Sequence, residues 1–315
     1  MKKVIASVLS FAALALAADA PWWNAQWSMR MPVTVSTGMN PGKNALVSLK
    51  IGDPGQRSSI RVVDAENKEI PCAVRVDGSG AVFVAWRIAE PEMLEEMKYY
   101  VYWDKKAKPA VAEPEGFPKN LPGMNLIPNP EWQKKTPEGD IADWFCSSTG
   151  YGRMDKWNDS NRAKVSVEKK DGRLALKTSE KVVAFVKEIE EGHTYRMSFE
   201  GFNGEPQLTS VTALFYDHTN STFKIHRQFG NYKIASGLSS PGSWIKSSNS
   251  SFGYIDNKTK TVHNNEKKVL PGTAGVYIEV FPRGQKPFWI TALVFEDITE
   301  NALDAKAGKP EERKK

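Results

Sequence analysis

Histidine and cysteine are scarce in this chain, four and two among 315 residues. Metal centres and Cys–His catalysis need those side chains clustered at short spacing. The four His stand apart at His193, His218, His226 and His263, where each reads as a surface or core-edge residue. The chain lacks G-x-S-x-G, a phosphate-cradling P-loop, H-E-x-x-H, C-x-x-C and an EF-hand loop. Gly150-Tyr151-Gly152 has no helical pattern behind it. There is no alternation of strand and helix patterns, which excludes the nucleotide-binding folds. No motif that reads RNA or DNA is present. After the first twenty residues no apolar run approaches the roughly 20 residues of a membrane span. These absences predict no catalytic residue, no metal, no cofactor, no nucleic-acid partner and no membrane span. The 37 acidic residues supply carboxylate pairs anywhere one looks, so they discriminate nothing.

What is abundant is aromatic: ten Trp, nine Tyr and fourteen Phe. With 25% charged and 40% hydrophobic residues the composition is globular. The chain opens on Lys2 and Lys3, continues as an apolar run from Val4 to Ala17, and offers Ala15-Leu16-Ala17 to a signal peptidase. Cutting after Ala20 would instead place Pro21 at the scissile bond. Residues 1–17 are therefore read as a bacterial signal peptide, with an uncleaved anchor as the alternative. The protein is expected to be exported and periplasmic, cell-surface or extracellular. Losing Lys2 and Lys3 takes the net charge from +6 to +4. Cys72 and Cys146 then lie in a compartment that permits disulfides. A bridge would close about 75 residues and stabilise by roughly 4 kcal/mol. Two separate buried thiols are the equal alternative.

Residues 18–105 read as a small β-sandwich. Met29, Met31, Val33 and Val35 alternate with polar residues, and short runs rich in Val, Ile and aromatics follow at Ala45–Ile51, Ile60–Val63, Ile70–Val76, Ala81–Ile88 and Tyr99–Trp103. Gly52-Asp53-Pro54-Gly55 and Asp77-Gly78-Ser79-Gly80 are turn chemistry. Pro91 to Met97 reads as about two turns of helix. Residues 106–122 carry Pro109, Pro114, Pro118 and Pro122 and read as a semi-rigid linker. Residues 123–300 read as a second, longer β-sandwich with strands near Ala163–Glu168, Arg173–Thr178, Val182–Ile189, Thr194–Phe202, Thr209–Tyr216, Ser221–Gln228, Gly275–Phe281 and Phe288–Phe295. Ser236–Ser251 reads as a Ser- and Gly-rich loop, and residues 301–315 as a charged tail. The predicted fold is all-β: two jelly-roll-like sandwiches joined by a Pro-rich linker.

Strand-borne Trp86, Trp103, Phe185, Phe199, Phe215, Phe281 and Trp289 are assigned to packing. Other rings stand in polar company, where packing explains them poorly. Tyr151, Arg153, Asp155, Trp157 and Asn158 share one run, Tyr232 lies in Phe229-Gly230-Asn231-Tyr232, and Trp244 ends a Ser-rich approach. A sugar laid over an exposed ring covers perhaps 50 Å² of apolar surface, about 1 kcal/mol. Asp, Asn and Arg then bond its hydroxyls. Trp157, Tyr151, Tyr232 and Trp244 are the predicted stacking platforms, with Arg153, Asp155 and Asn158 as their polar partners.

Asn125-Leu126-Ile127-Pro128-Asn129-Pro130-Glu131-Trp132 resembles the opening of carbohydrate-binding modules with a galactose-binding-like jelly-roll fold. The likeness continues through Gly172-Arg173-Leu174-Ala175-Leu176 and Gly192-x-Thr194-Tyr195-x-x-Ser198-Phe199. It ends at Ala274-Gly275-Val276-Tyr277-Ile278 and Phe288-Trp289-Ile290. That resemblance implies a glycan ligand. It also implies a structural Ca²⁺ held by acids, but this chain has Gln133 where the family opening has Glu, and Ile290-Thr291-Ala292 where the last strand reads Ile-Asp-Asp. That ion is therefore not expected. Trp22-Trp23-Asn24-x-x-Trp27 and Tyr99-Tyr100-Val101-Tyr102-Trp103 resemble an uncharacterised concanavalin-like domain of exported bacterial proteins. The expected function is non-catalytic polysaccharide binding. The alternative is a structural or adhesive envelope protein that contacts other proteins.

Overall fold

A computed structural model describes residues 21–109, 111–146, 157, 159–217, 224–225, 233–238, 241–246, 254–255, 262–263 and 266–313. The expected signal peptide lies outside them. The chain is all-β. Among the described residues the exceptions are single turns of helix at Arg57–Ser59 and Asp159–Arg162.

Seven strands precede Pro109: β1 (Met29–Ser36), β2 (Ala45–Ile51), β3 (Arg61–Asp64), β4 (Glu69–Ile70), β5 (Cys72–Val76), β6 (Val82–Ile88) and β7 (Glu96–Trp103). The predicted run Ile70–Val76 is split because Pro71 has no amide proton to give the ladder. The helix predicted at Pro91–Met97 does not form. Leu94 sits at φ 57°, and Thr37 ties the segment down through the carbonyls of Glu92 and Glu95. Alternate residues of these strands, among them Val33, Val35, Val47, Val62, Val84, Trp86 and Val101, close one core.

The second set begins with β8 (Trp144–Cys146), β9 (Val165–Lys170), β10 (Arg173–Thr178), β11 (Val182–Val186), β12 (Thr194–Asn203) and β13 (Thr209–Asp217). It continues with β14 (Lys224–Ile225), β15 (Lys233–Leu238), β16 (Trp244–Lys246), β17 (Tyr254–Ile255), β18 (Val262–His263) and β19 (Glu266–Lys268). Two long strands, β20 (Thr273–Pro282) and β21 (Phe288–Asp297), complete it. One sheet runs β16-β12-β21-β10-β9 and the other β14-β13-β20-β11-β8. Their inward residues, including Leu176, Phe199, Phe215, Ile278, Ile290 and Phe295, form a second core. The sandwich expected from residue 123 onward is thus built from two facing sheets, and the Ser236–Ser251 stretch supplies part of β15 and all of β16 rather than loop alone.

The tail corrects the sequence reading. β22 (Ala302–Ala307) and β23 (Glu311–Glu312) are strands of the first sheet. β22 lies between β1, which it pairs antiparallel, and β2, which it pairs parallel. The charges had suggested a solvated end. However, Leu303 and Ala305 alternate with Asp304 and Lys306, and those two apolar side chains pack on the first core.

The Pro-rich stretch is also packed. Leu121 and Met124 are buried with Leu46, Phe83 and Ala85, and Ser48 Oγ donates to the Pro122 carbonyl at 2.9 Å. Beyond it, Gly78 N donates to the Asn125 carbonyl at 2.7 Å and Asn129 N to the Gly78 carbonyl at 3.0 Å. A Cβ at Gly78 would stand 2.0 Å from the Ile127 carbonyl oxygen. That close approach of backbone to backbone is what requires glycine.

Cys72 and Cys146 are free, one packed on each core. Burial pushes the Cys72 thiol up to about 11 and the Cys146 thiol to about 12. Both behave as small apolar side chains. Trp22, Trp23 and Trp27 pin the segment before β1: they pack with Val63, Tyr100 and Tyr102, and Trp27 Nε1 donates to the Ser59 carbonyl at 2.7 Å.

Candidate functional site

Outward-facing residues of the β16-β12-β21-β10-β9 sheet make the most chemically distinctive surface among the described residues. Strand alternation sends Met197, Phe199, Phe288 and Ile290 into the core and their neighbours out. Register then places Trp244 opposite Phe202, Phe202 opposite Trp289, and Trp289 opposite Lys177. The three rings therefore form a row across adjacent strands. Ring centroids are 5.8 Å apart for Trp244–Phe202 and 5.7 Å for Phe202–Trp289. Trp244 and Trp289 are half-buried, and Phe202 beneath them is buried. Just past the row β21 bulges: Ser198 pairs with Val294 but Glu200 with Thr291, so Ala292 and Leu293 both stand opposite Phe199.

Polar groups frame the row. The β9–β10 hairpin turns through Asp171 and Gly172, both at positive φ, as the right-handed strand twist favours. Asp171 Oδ2 accepts the Trp244 indole N–H at 3.1 Å, and Glu168 Oε1 accepts that of Trp289 at 2.9 Å. The Trp289 bond, helped by Lys177, holds the Glu168 carboxyl below the usual glutamate value. Lys170 Nζ lies 4.4 Å from the Phe202 centroid and 5.2 Å from that of Trp289. Lys177 Nζ lies 5.4 Å from Trp289, and the Arg173 guanidinium 5.2 Å from Trp244. Arg173 also pairs with Glu200.

The opposite sheet has a different outer face. Phe185 and Tyr277 pack at 4.9 Å beside Val183 and Leu214, with Tyr277 and Leu214 buried. Glu279 is buried there too. Its Oε2 makes no hydrogen bond, and Lys181 Nζ stands 3.6 Å away. A third cluster joins Glu190, His193 and Asp297, whose ligand atoms lie within 4.8 Å of one another. These three could present one imidazole nitrogen and two carboxylate oxygens to a divalent ion. Their present bonds are structural. His193 Nδ1 contacts Asp297 Oδ2 at 2.7 Å, Asp297 Oδ1 accepts the Thr299 amide at 2.9 Å, and Glu190 Oε2 accepts the Lys119 amide at 3.1 Å. Nearby, burial and Asp297 push the Tyr195 phenol up, and its oxygen accepts from Glu190 N and Asn120 Nδ2.

Of the sequence-predicted residues, Trp244 is on the aromatic row. Trp157 lies apart from that row: it is half-buried and packs against the second core, its indole nitrogen enclosed without a hydrogen bond. Tyr151, Arg153, Asp155, Asn158 and Tyr232 lie outside the described residues. Phe202 was missed and Trp289 assigned to packing, although the signal existed. Trp289 sits between Phe288 and Ile290, so strict alternation sends it to the other face. Phe185 and Phe281 are likewise outward, whereas Trp86, Trp103, Phe199 and Phe215 are core as expected.

No family model matches the chain, and no curated protein matches it. Among solved structures, the tandem CBM22-1–CBM22-2 domain of Paenibacillus barcinonensis Xyn10C is 13% identical over 88% of this chain and 80% of that one, with a TM-score of 0.35. The enzymatically active domain of bacteriophage CBA120 tailspike protein 4 is 13% identical over 55% of this chain and 21% of that one, with a TM-score of 0.33.

Proposed function

We propose that this chain is an exported, non-catalytic polysaccharide-binding protein whose ligand lies along the Trp244–Phe202–Trp289 row. The observation that carries the reading is that row itself: three rings side by side across a sheet face, tilted 56° and 84° to one another, two of them half-exposed, framed by lysine, arginine and glutamate side chains. Flat C–H faces of sugars gain about 1 kcal/mol per ring by stacking there, and the framing groups supply bonds to the hydroxyls. The predicted signal peptide supports export. In the Glu190–His193–Asp297 cluster one oxygen of each acid accepts a backbone amide, a structural duty that fits a non-catalytic role. The galactose-binding-like jelly roll belongs to the same proposal.

A second location is favoured by one observation, the Phe185–Tyr277 ring pair at 4.9 Å on the opposite face. Affinity electrophoresis of residues 18–315 through soluble polysaccharides separates the two. Retardation lost in Trp289→Ala and kept in Phe185→Ala places the ligand on the row. The reverse result places it on the opposite face. Absence of retardation in every gel, together with no pull-down on insoluble polysaccharides, overturns the glycan reading and leaves protein contacts as the function.

A further inference from the structure

We infer that the ligand of the aromatic row is a polysaccharide whose sugars carry carboxylates; this rests on the glycan reading above and narrows its chemistry. The rings are not bare. Lys170 lies over both Phe202 and Trp289, Lys177 lies over Trp289, and Arg173 lies over Trp244, at 4.4 to 5.4 Å from the ring centroids. A neutral sugar stacking flat must push these cations aside and gives up their attraction to the rings. An anionic sugar meets them as partners instead.

The local acids leave room for that partner. The Glu168 Oε1 and Asp171 Oδ2 atoms are each taken by an indole N–H, at 2.9 and 3.1 Å, and Glu200 is taken by Arg173. The lysines reach the other oxygen of each carboxylate, Lys177 Nζ to Glu168 Oε2 at 3.5 Å and Lys170 Nζ to Asp171 Oδ1 at 3.9 Å, both longer than a charge-assisted bond. An ammonium carries three donors. Two ammonium groups converging on the Trp289 ring, from neighbouring strands and partly solvent-exposed, thus form a clamp in which a carboxylate accepts charge-assisted bonds while the sugar ring meets the indole.

The test uses residues 18–315 and a panel of polygalacturonate, alginate and glucuronoxylan, each against its carboxyl-reduced, neutral counterpart. The expected result is that at least one native polymer binds and that carboxyl reduction weakens it roughly tenfold or more, the scale of a lost charge-assisted bond pair. Lys170→Ala/Lys177→Ala should lose as much, and Lys68→Ala/Lys98→Ala, which removes equal charge from the first sheet, should lose nothing. Equal binding of native and reduced polymers, or equal loss in both double variants, overturns the carboxylate assignment. Neutral-polymer binding that Trp289→Ala abolishes leaves the glycan reading standing while sinking this inference. Binding to no polysaccharide sinks both.

Discussion

Aromatic side chains outside the two cores meet two different fates. Around Tyr102, the rings of Trp22, Trp23 and Trp27 are spent on their own chain: Trp22 meets Tyr102 edge-on at 5.6 Å, Trp23 at 5.5 Å, and Trp27 hydrogen-bonds a backbone carbonyl. On the outer face of the second sandwich, Trp244 and Trp289 give their N–H groups to side-chain carboxylates, and cations overlie their rings. Cations overlie the first cluster as well, Arg30 over Trp22 and Lys108 over Trp27. What differs is the indole partner: main-chain carbonyls for Trp22 and Trp27, side-chain carboxylates for Trp244 and Trp289.

The comparison can be broken at several strengths. Deleting residues 302–313 removes the strand that joins β1 to β2. The first core should then lose its cooperative thermal transition while the second keeps its own, as calorimetry would read. Gly78→Ala forces a Cβ against the Ile127 carbonyl, which belongs to the backbone and cannot swing away. A loss above about 3 kcal/mol is expected in denaturant unfolding. Trp27→Ala should cost about 3 kcal/mol and leave glycan retardation unchanged. Trp289→Ala should do the opposite, costing under about 1 kcal/mol while abolishing retardation.

The smallest effect is electrostatic. The Trp289 N–H and Lys177 hold Glu168 below its ordinary value, so the stabilisation is complete above the ordinary glutamate value of about 4.3 and disappears as pH falls through the folded-state value. Because Glu168 is more than a third exposed, the difference between wild type and Glu168→Gln should be a few tenths of a kcal/mol at pH 6 and should shrink toward pH 3.

Much of the fold was legible along the chain. Alternation at Met29 to Val35 and at Phe288 to Phe295, with turn residues such as Asp77 and Gly80 between strands, marked out strands that the structure contains. Trp244 was legible as a ring in polar surroundings. The alternation around Trp289 put it on the face opposite Phe288 and Ile290, but its place beside Phe202 and Trp244 follows from strand register, which the local pattern does not carry.

Local sequence determined the strand class, the turns and the scarcity of metal- and nucleophile-bearing side chains, because those follow from backbone preferences and composition within a few residues. Only tertiary structure decided that residues 302–307 complete the first sheet, that the Pro-rich stretch packs on it, and that Trp244, Phe202 and Trp289 stand in one row. Each of these depends on strand register between segments tens to hundreds of residues apart. Register is fixed by the packing of a shared core rather than by any one strand's own sequence.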